Sequence, residues 1–187
     1  MEVPSALIHS LQNIKGFNKE AFENVHRSGE QITSIRLNAN KLSGASKAFL
    51  ISNGLKDAGT SSVPWSTNGY YLPVRPSFTS DPLFHGGAYD VQEASSMFLE
   101  EVLKQSTDIT RPVKVLDLCA APGGKSTLIQ SVISEESLLV SNEVIKTRIT
   151  VLTENITKWG ASNMIITHND PKDFQRLPTY FDIIVME

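Results

Sequence analysis

The stretch VKVLDLCAAPGGKSTLIQS, residues 113–131, constrains the fold of this chain more than any other. An apolar, β-branched run breaks into a loop with two consecutive glycines and then resumes with helical spacing. Three further apolar runs follow, LLVSNE (138–143), NMIITHND (163–170) and FDIIVME (181–187). Helices are predicted from about 124 to 133 and from about 146 to 159, the second ended by Gly160. Strands alternating with helices of about 10–15 residues imply right-handed βαβ units and a parallel sheet. The final run ends the chain inside a buried-type strand, so the expectation is a chain truncated at its fourth core strand.

Ligands of such sheets bind beyond the carboxyl ends of the strands, and each run delivers a distinctive group there. The first delivers Asp117 and the loop Cys119, Ala120, Ala121, Pro122, Gly123, Gly124, Lys125. The alanines keep the loop slim, and the glycines allow unusual backbone angles and close ligand approach. The helix that follows points its free amides at the ligand, which suits an anion such as a carboxylate or phosphate. The second run ends in Glu143, an acid placed to accept both hydroxyls of a ribose. The third ends in Asp170, placed to accept from an adenine amino group, and the fourth in Glu187, beneath the same pocket. Blander readings stand beside these. Asp117 and Glu143 could cap the following helices, Asp170 before Pro171 could be a turn residue, and Lys125 could be a surface lysine. Cys119 reads as a small packed residue rather than a nucleophile.

The loop also misses a phosphate-binding P-loop by one residue, because Cys119 stands where the first glycine is required. Pro122 removes a further amide from any phosphate nest. A P-loop NTPase is therefore the alternative of a different class, and a non-catalytic RNA-binding module of the same fold is another.

The first part of the chain reads differently. PSALIHSLQNI has Ala6, Leu7, Leu11 and Ile14 near helical spacing, and NKEAFENVHRSG offers Asn18 as N-cap and Gly29 as a stop. QITSIRLN alternates like a strand, a helix is expected at about 46–56, and VPWSTNGYYLPV offers two short strands around Asn68-Gly69. Residues 76–87 read as a loop marking a domain boundary. VQEASSMFLEEVLKQ then reads as an amphipathic helix with Met97, Phe98, Val102 and Leu103 inward. Trp65, Tyr70 and Tyr71 read as core rather than base-stacking platforms. The division expected is a small α+β domain over 1–78 and a Rossmann-like α/β domain over 79–187.

Bulk properties narrow the classes. A net charge of −3 argues against a wholly basic nucleic-acid binder, although residues 1–56 carry seven Lys/Arg against four acids. One cysteine excludes a disulfide framework and an all-cysteine metal site. The four scattered histidines show no ligand spacing, so no metal is expected. No apolar run approaches the roughly 20 residues of a membrane helix, and the first residues lack a signal pattern. The expectation is a cytoplasmic protein without a membrane partner.

At these motifs the chain resembles the Sun-type (nucleolar-protein/Sun) RNA cytosine-C5 methyltransferases. LDLCAAPGGKS is similar to that family's first S-adenosylmethionine motif, and GAYDVQEASS (87–96) to its Gly/Tyr/Gln/Ser marker. SIRLN (34–38) and VPWSTNGYYL (63–72) resemble the N-terminal module of the bacterial branch that modifies ribosomal RNA. The resemblance implies a Rossmann-like S-adenosylmethionine-dependent methyltransferase core. It implies that the loop from Cys119 to Lys125 holds the methionine portion of that cofactor, Glu143 the ribose and Asp170 the adenine end. Glu187 falls where the family usually has Asp before Ala-Pro-Cys, and Arg148 matches an arginine the family often carries. The family's chemistry uses one cysteine to attack carbon-6 of cytosine and another to assist release. Both are placed beyond Glu187, so no catalytic residue is expected in these 187 residues and Cys119 is not their equivalent. The implied substrate is RNA, ribosomal RNA favoured over transfer RNA.

Overall fold

The computed structural model describes residues 3–29, 31–42 and 59–186. The helix expected at about 46–56 and the terminal Glu187 lie outside the described residues. The chain forms two compact units, Met1–Ile32 and Thr33–Glu187.

In the first unit, α1 (Ser5–Leu11) and α2 (Lys19–Ser28) follow the sequence signals closely. The Asn18 side chain accepts from the Ala21 amide at 2.9 Å, satisfying one of the helix's orphan donors. Gly29 ends the helix in the left-handed region at φ +66°. The inward side chain of α1 is Ile8, whereas Leu7 and Ile14 are exposed.

The second unit holds two sheets. The first is antiparallel, built from β1 (Thr33–Leu37), β2 (Ser61–Ser62), β3 (Gly69–Leu72) and β4 (Tyr89–Val91) in the order β2-β3-β1-β4. All five residues of β1 are buried, so its alternating sequence does not give an exposed face. The Asn68-Gly69 pair does not form a two-residue hairpin. Gly69 starts β3, pairing begins at Ser62↔Tyr70, and residues 63–68 form the connecting loop. A cluster of Ile35, Leu37, Tyr70, Leu72, Phe78 and Tyr89 fills this sheet's core. Residues 76–87 are not a bare linker, because they contain a 3-10 turn (Phe78–Ser80) and α4 (Pro82–His85). Short α3 (Ala39–Leu42) follows β1. Pairing of β4 with β1 brings together strands on either side of residue 78.

The segment after β4 is two helices, α5 (Ala94–Met97) and α6 (Leu99–Ser106), with Phe98 between them. Phe98 keeps right-handed helical backbone angles, so the buried residues on both sides follow one helical spacing. Met97 and Leu103 are buried as expected, but Phe98 and Val102 are 53% and 47% exposed, and Glu100 takes the inward position instead.

The second sheet is the parallel one predicted. β5 (Lys114–Asp117), β6 (Leu138–Asn142), β7 (Met164–Thr167) and β8 (Ile183–Val185) lie in the order β7-β6-β5-β8, all parallel. Between them run α7 (Gly124–Val132) and α8 (Lys146–Trp159), with Gly160 at φ +84° ending α8. Leu152, Ile156 and Trp159 recur at helical spacing on the buried face of α8. Val63, Met97, Leu103, Val115, Leu128 and Leu139 pack into one cluster, so the segment before β5 and the parallel sheet share a core. Trp65 and Tyr71 pack against that cluster and Tyr70 belongs to the other, which is the core role expected of these aromatics. This is an α/β Rossmann-like architecture with a small α+β portion ahead of it.

Candidate functional site

The loop between β5 and α7 is anchored from several sides. The Leu118 amide donates to the Val185 carbonyl at 2.9 Å and the Ala120 amide to the Asn142 carbonyl at 2.8 Å. The Ala121–Pro122 peptide is cis. Gly123, at φ +111°, is the residue before the helix, and a Cβ there would come to 3.2 Å from a methyl of Leu152. Only glycine satisfies both the backbone angle and the contact. Asp117 is buried and accepts from the Ser126 hydroxyl at 2.6 Å, and the Ser141 hydroxyl donates to Ser126 at 2.9 Å. Asp117 thus fastens the first turn of α7 to the sheet.

Glu143 is also buried, and its carboxylate is tied to the same loop. It accepts from the Ala121 amide at 3.3 Å and from the Ile145 amide at 2.9 Å. The half-exposed Arg148 guanidinium lies 3.4 Å from the same carboxylate and also donates to the Ala121 carbonyl. A carboxylate offers about four lone-pair positions, so two backbone donors leave acceptor capacity on Glu143 for ligand hydroxyls, with Arg148 beside it. The exposed Asp170 caps the 3-10 helix Pro171–Arg176, accepting from the Lys172 amide at 2.9 Å. Glu187 lies outside the described residues.

Asn142 carries a role the sequence did not announce. Its amide nitrogen donates to the Leu118 and Asn169 carbonyls at 3.2 and 3.1 Å. Its oxygen accepts from the Asn169 amide and the Thr167 hydroxyl at 3.0 and 2.9 Å. One buried side chain thereby fixes the carboxyl ends of β5 and β7 relative to β6, using its full hydrogen-bonding capacity.

A cavity of about 320 Å³ opens against this loop. One wall is Cys119, Ala120, Ala121, Pro122, Gly124 and Lys125, and the other is Val91, Gln92, Glu93 and Ser96. The loop residues were legible in the sequence, and the second wall was not. GAYDVQEASS stood out only as a family marker, and nothing in its residue types announces a cavity wall. Glu143 reaches the loop through Ala121, and Asp170 is engaged with its own turn, so neither lines this cavity. The volume is at the small end of the roughly 300–1,000 Å³ of ligand pockets. The amino end of α7 lies beside it, and the positive end of a helix favours an anionic group.

Behind Gln92 lies Arg36, on β1 and 1% exposed. Burial lowers its pKa to about 10, against the opposing influence of Asp90 and Glu100. The guanidinium stacks over the Trp159 ring at 4.3 Å. Beyond its place in SIRLN, a stretch that carries the family resemblance, nothing in the sequence distinguished this arginine from a surface residue of an alternating strand. Among the described residues no group of His, Cys, Asp or Glu side chains could hold a metal, and no helix is long and apolar enough to cross a membrane.

Comparison with known proteins places this geometry. Residues 3–94 match the model of the N-terminal domain of 16S rRNA methyltransferase RsmF, and residues 103–187 match that of 16S rRNA methyltransferase RsmB/F. The ribosomal RNA small subunit methyltransferase F of Aeromonas salmonicida is 37% identical over 131 residues, covering 67% of this chain and 27% of that protein. Its counterpart in Shewanella loihica is 33% identical over 162 residues, covering 82% of this chain and 32% of that protein. The chain thus spans about a quarter to a third of these relatives' length. Among solved structures, NSun6 from Pyrococcus horikoshii with SFG superposes with a TM-score of 0.78 at 17% identity, covering 98% of this chain and 70% of that one. A methyltransferase homolog protein from Pyrococcus horikoshii gives 0.71 at 23% identity, covering 97% and 62%. At these identities the two structures speak for the fold.

Proposed function

Because the chain belongs to the RsmB/F family of 16S rRNA methyltransferases, we propose that it carries the S-adenosylmethionine pocket of an RNA cytosine-C5 methyltransferase acting on ribosomal RNA. The observation that carries this reading is the cavity between the slim loop 119–125 and residues 91–96, at the amino end of α7. Ala120, Ala121, Gly123 and Gly124 leave room for a ligand to lie against the backbone, and the helix amides suit its carboxylate. Bound there, S-adenosylmethionine supplies an electrophilic methyl group.

Loop residues Cys119 to Lys125 take the methionine portion, Glu143 the ribose hydroxyls and Asp170 the adenine end, with Glu187 assigned beneath the same pocket and Arg148 bracing Glu143 and the loop. Residues 1–78 act as an RNA-binding-type module and 79–187 as the first part of the methyltransferase domain. Cys119 is the single cysteine and belongs to the donor loop. Cofactor retention is therefore assigned to these 187 residues and turnover to the longer protein, with ribosomal RNA favoured over transfer RNA. A cytoplasmic address goes with that substrate.

Calorimetry separates this reading from the P-loop one. S-adenosylhomocysteine should bind the chain without metal; Mg²⁺-dependent ATP binding with no S-adenosylhomocysteine binding would sink the proposal. Glu143→Ala should weaken S-adenosylhomocysteine binding by about 1–3 kcal/mol, the cost of removing a hydrogen-bonding partner of the ribose. Unchanged affinity in a folded variant refutes that role. In the longer protein, methyl transfer to ribosomal RNA should yield 5-methylcytosine, and a product methylated elsewhere excludes the cytosine-C5 reaction.

A further inference from the structure

Arg36 sits where stability alone does not place a guanidinium. It is buried on the central strand of the small sheet, where removal from water is costly unless every donor is matched. Its direct partners are neutral. Nε donates to the Gln92 side-chain oxygen at 2.7 Å, one terminal nitrogen to the Thr127 hydroxyl at 2.5 Å and the other to the Ser131 hydroxyl at 3.2 Å. Asp90 and Glu100 act on it only through the longer-range field.

Two of those partners converge on one atom. The Gln92 side-chain nitrogen donates to the Gly124 carbonyl at 3.1 Å, and the Thr127 hydroxyl donates to the same carbonyl at 3.1 Å. An arginine offers donors only, so it fixes the Gln92 oxygen toward itself and the Gln92 nitrogen toward Gly124. It constrains the Thr127 hydroxyl in the same way: the oxygen accepts from Arg36, leaving its proton for Gly124. Gly124 begins α7 and lines the cavity, as does Gln92. A Cβ on Gly124 would stand 3.6 Å from the Gln92 nitrogen, so the amide lies directly against the helix start.

We propose that Arg36 is a positioning residue: through Gln92 and Thr127 it clamps the Gly124 carbonyl and so sets the direction in which the first turn of α7 presents its amides to the cofactor. The inference rests on the cofactor pocket proposed above. A small misplacement of binding groups costs large factors in what they bind, and this clamp holds the turn that makes the anion site.

The discriminating variant is Gln92→Glu, which keeps the shape and the acceptor for Arg36 but replaces the donor to Gly124 with a second oxygen. In the 187-residue chain it should weaken S-adenosylhomocysteine binding about tenfold by calorimetry, while the thermal midpoint stays at or above that of the parent, because Arg36 gains a charged partner. Thr127→Val, removing the second donor, should weaken binding in the same direction. Asn38→Ala is the structural control. The Asn38 amide donates to the Gly87 and Trp159 carbonyls at 3.0 Å each, away from Gly124, so its loss should lower the midpoint and leave affinity unchanged. Parent affinity in a folded Gln92→Glu variant overturns the clamp. So does an Asn38→Ala variant whose affinity falls in step with its midpoint, since general loosening would then account for the effect. A parent chain that does not bind S-adenosylhomocysteine overturns the pocket assignment itself, and the clamp with it.

Discussion

Gly87→Ala should cost about 3 kcal/mol or more of unfolding free energy, from backbone strain and overpacking together. Gly87 lies at φ +68°, and a Cβ there would come to 2.0 Å from the Lys158 carbonyl oxygen and 2.8 Å from its carbon. These are backbone atoms at the end of α8, so no side-chain rotation relieves the clash. The surroundings are held as well. Lys41 donates to the Lys158 carbonyl at 2.6 Å and to the Gly86 carbonyl at 2.7 Å, while Asn38 bridges Gly87 and Trp159. Separating the two backbones breaks those bonds too. Against total stabilities of about 5–15 kcal/mol, the loss should appear as a large drop in the denaturant midpoint. Gly86→Ala is the comparison, because its Cβ would meet the Pro82 carbonyl at 3.1 Å and the Leu83 carbonyl at 3.7 Å with an ordinary backbone angle. A Gly87→Ala variant as stable as Gly86→Ala would refute the argument.

The second large effect is expected at Glu100. Its carboxylate is 2% exposed and accepts from the Ser66 hydroxyl at 2.8 Å, the Thr67 hydroxyl at 2.6 Å, the Thr67 amide at 3.1 Å and the Lys104 ammonium at 2.7 Å. Glu100→Ala removes the acceptor of the buried Ser66 hydroxyl and of the Thr67 amide, while the exposed Lys104 ammonium can turn to water, a loss of about 1–3 kcal/mol for the donors left unmatched. The pH dependence has a definite sign. Burial pushes the Glu100 carboxyl up, but hydrogen bonds from Lys104, Thr67 and Ser66 outweigh it and hold the group below its ordinary value of 4.5. A carboxylate depressed in the folded state adds stability that is fully present above the unfolded value and is lost as pH falls through the folded one. Unfolding measured along a pH series should therefore show parent and variant separated by a constant margin above about pH 5. The margin should narrow as the medium is acidified below 4.5. A margin that widens in acid would refute the assignment.

The elements that were legible in advance are those with local causes. α8 announces itself by helical spacing and Gly160, α2 by Asn18 and Gly29, and the parallel strands by apolar runs at regular intervals. The slim loop was legible because alanine and glycine there exclude most other uses. What escaped depends on partners far along the chain. Arg36 and Gln92 meet Thr127 and Gly124 only after two sheets have assembled, and single polar residues carry no periodicity. The inward positions of Phe98 and Val102 were misjudged because residue type was followed, and a glutamate was not expected on the buried face. Met97, Glu100 and Leu103 recur at a spacing of three and go inward together, which leaves Phe98 and Val102 on the opposite side. The Asn68-Gly69 signal was real as a turn composition, but pairing of Ser62 with Tyr70 moved the loop upstream.

The clamp on the Gly124 carbonyl bears on how chains of this kind can be recombined. A chimera joined between residues 94 and 103, where the two domain models meet, would inherit its guanidinium and amide from one parent and its Thr127 hydroxyl from the other. Such a hybrid is expected to work only when the donor module brings an arginine and a glutamine to the same two places. A junction ahead of Thr33 avoids the requirement, since Met1–Ile32 is a unit of its own and the block from β1 onward travels with its wiring complete.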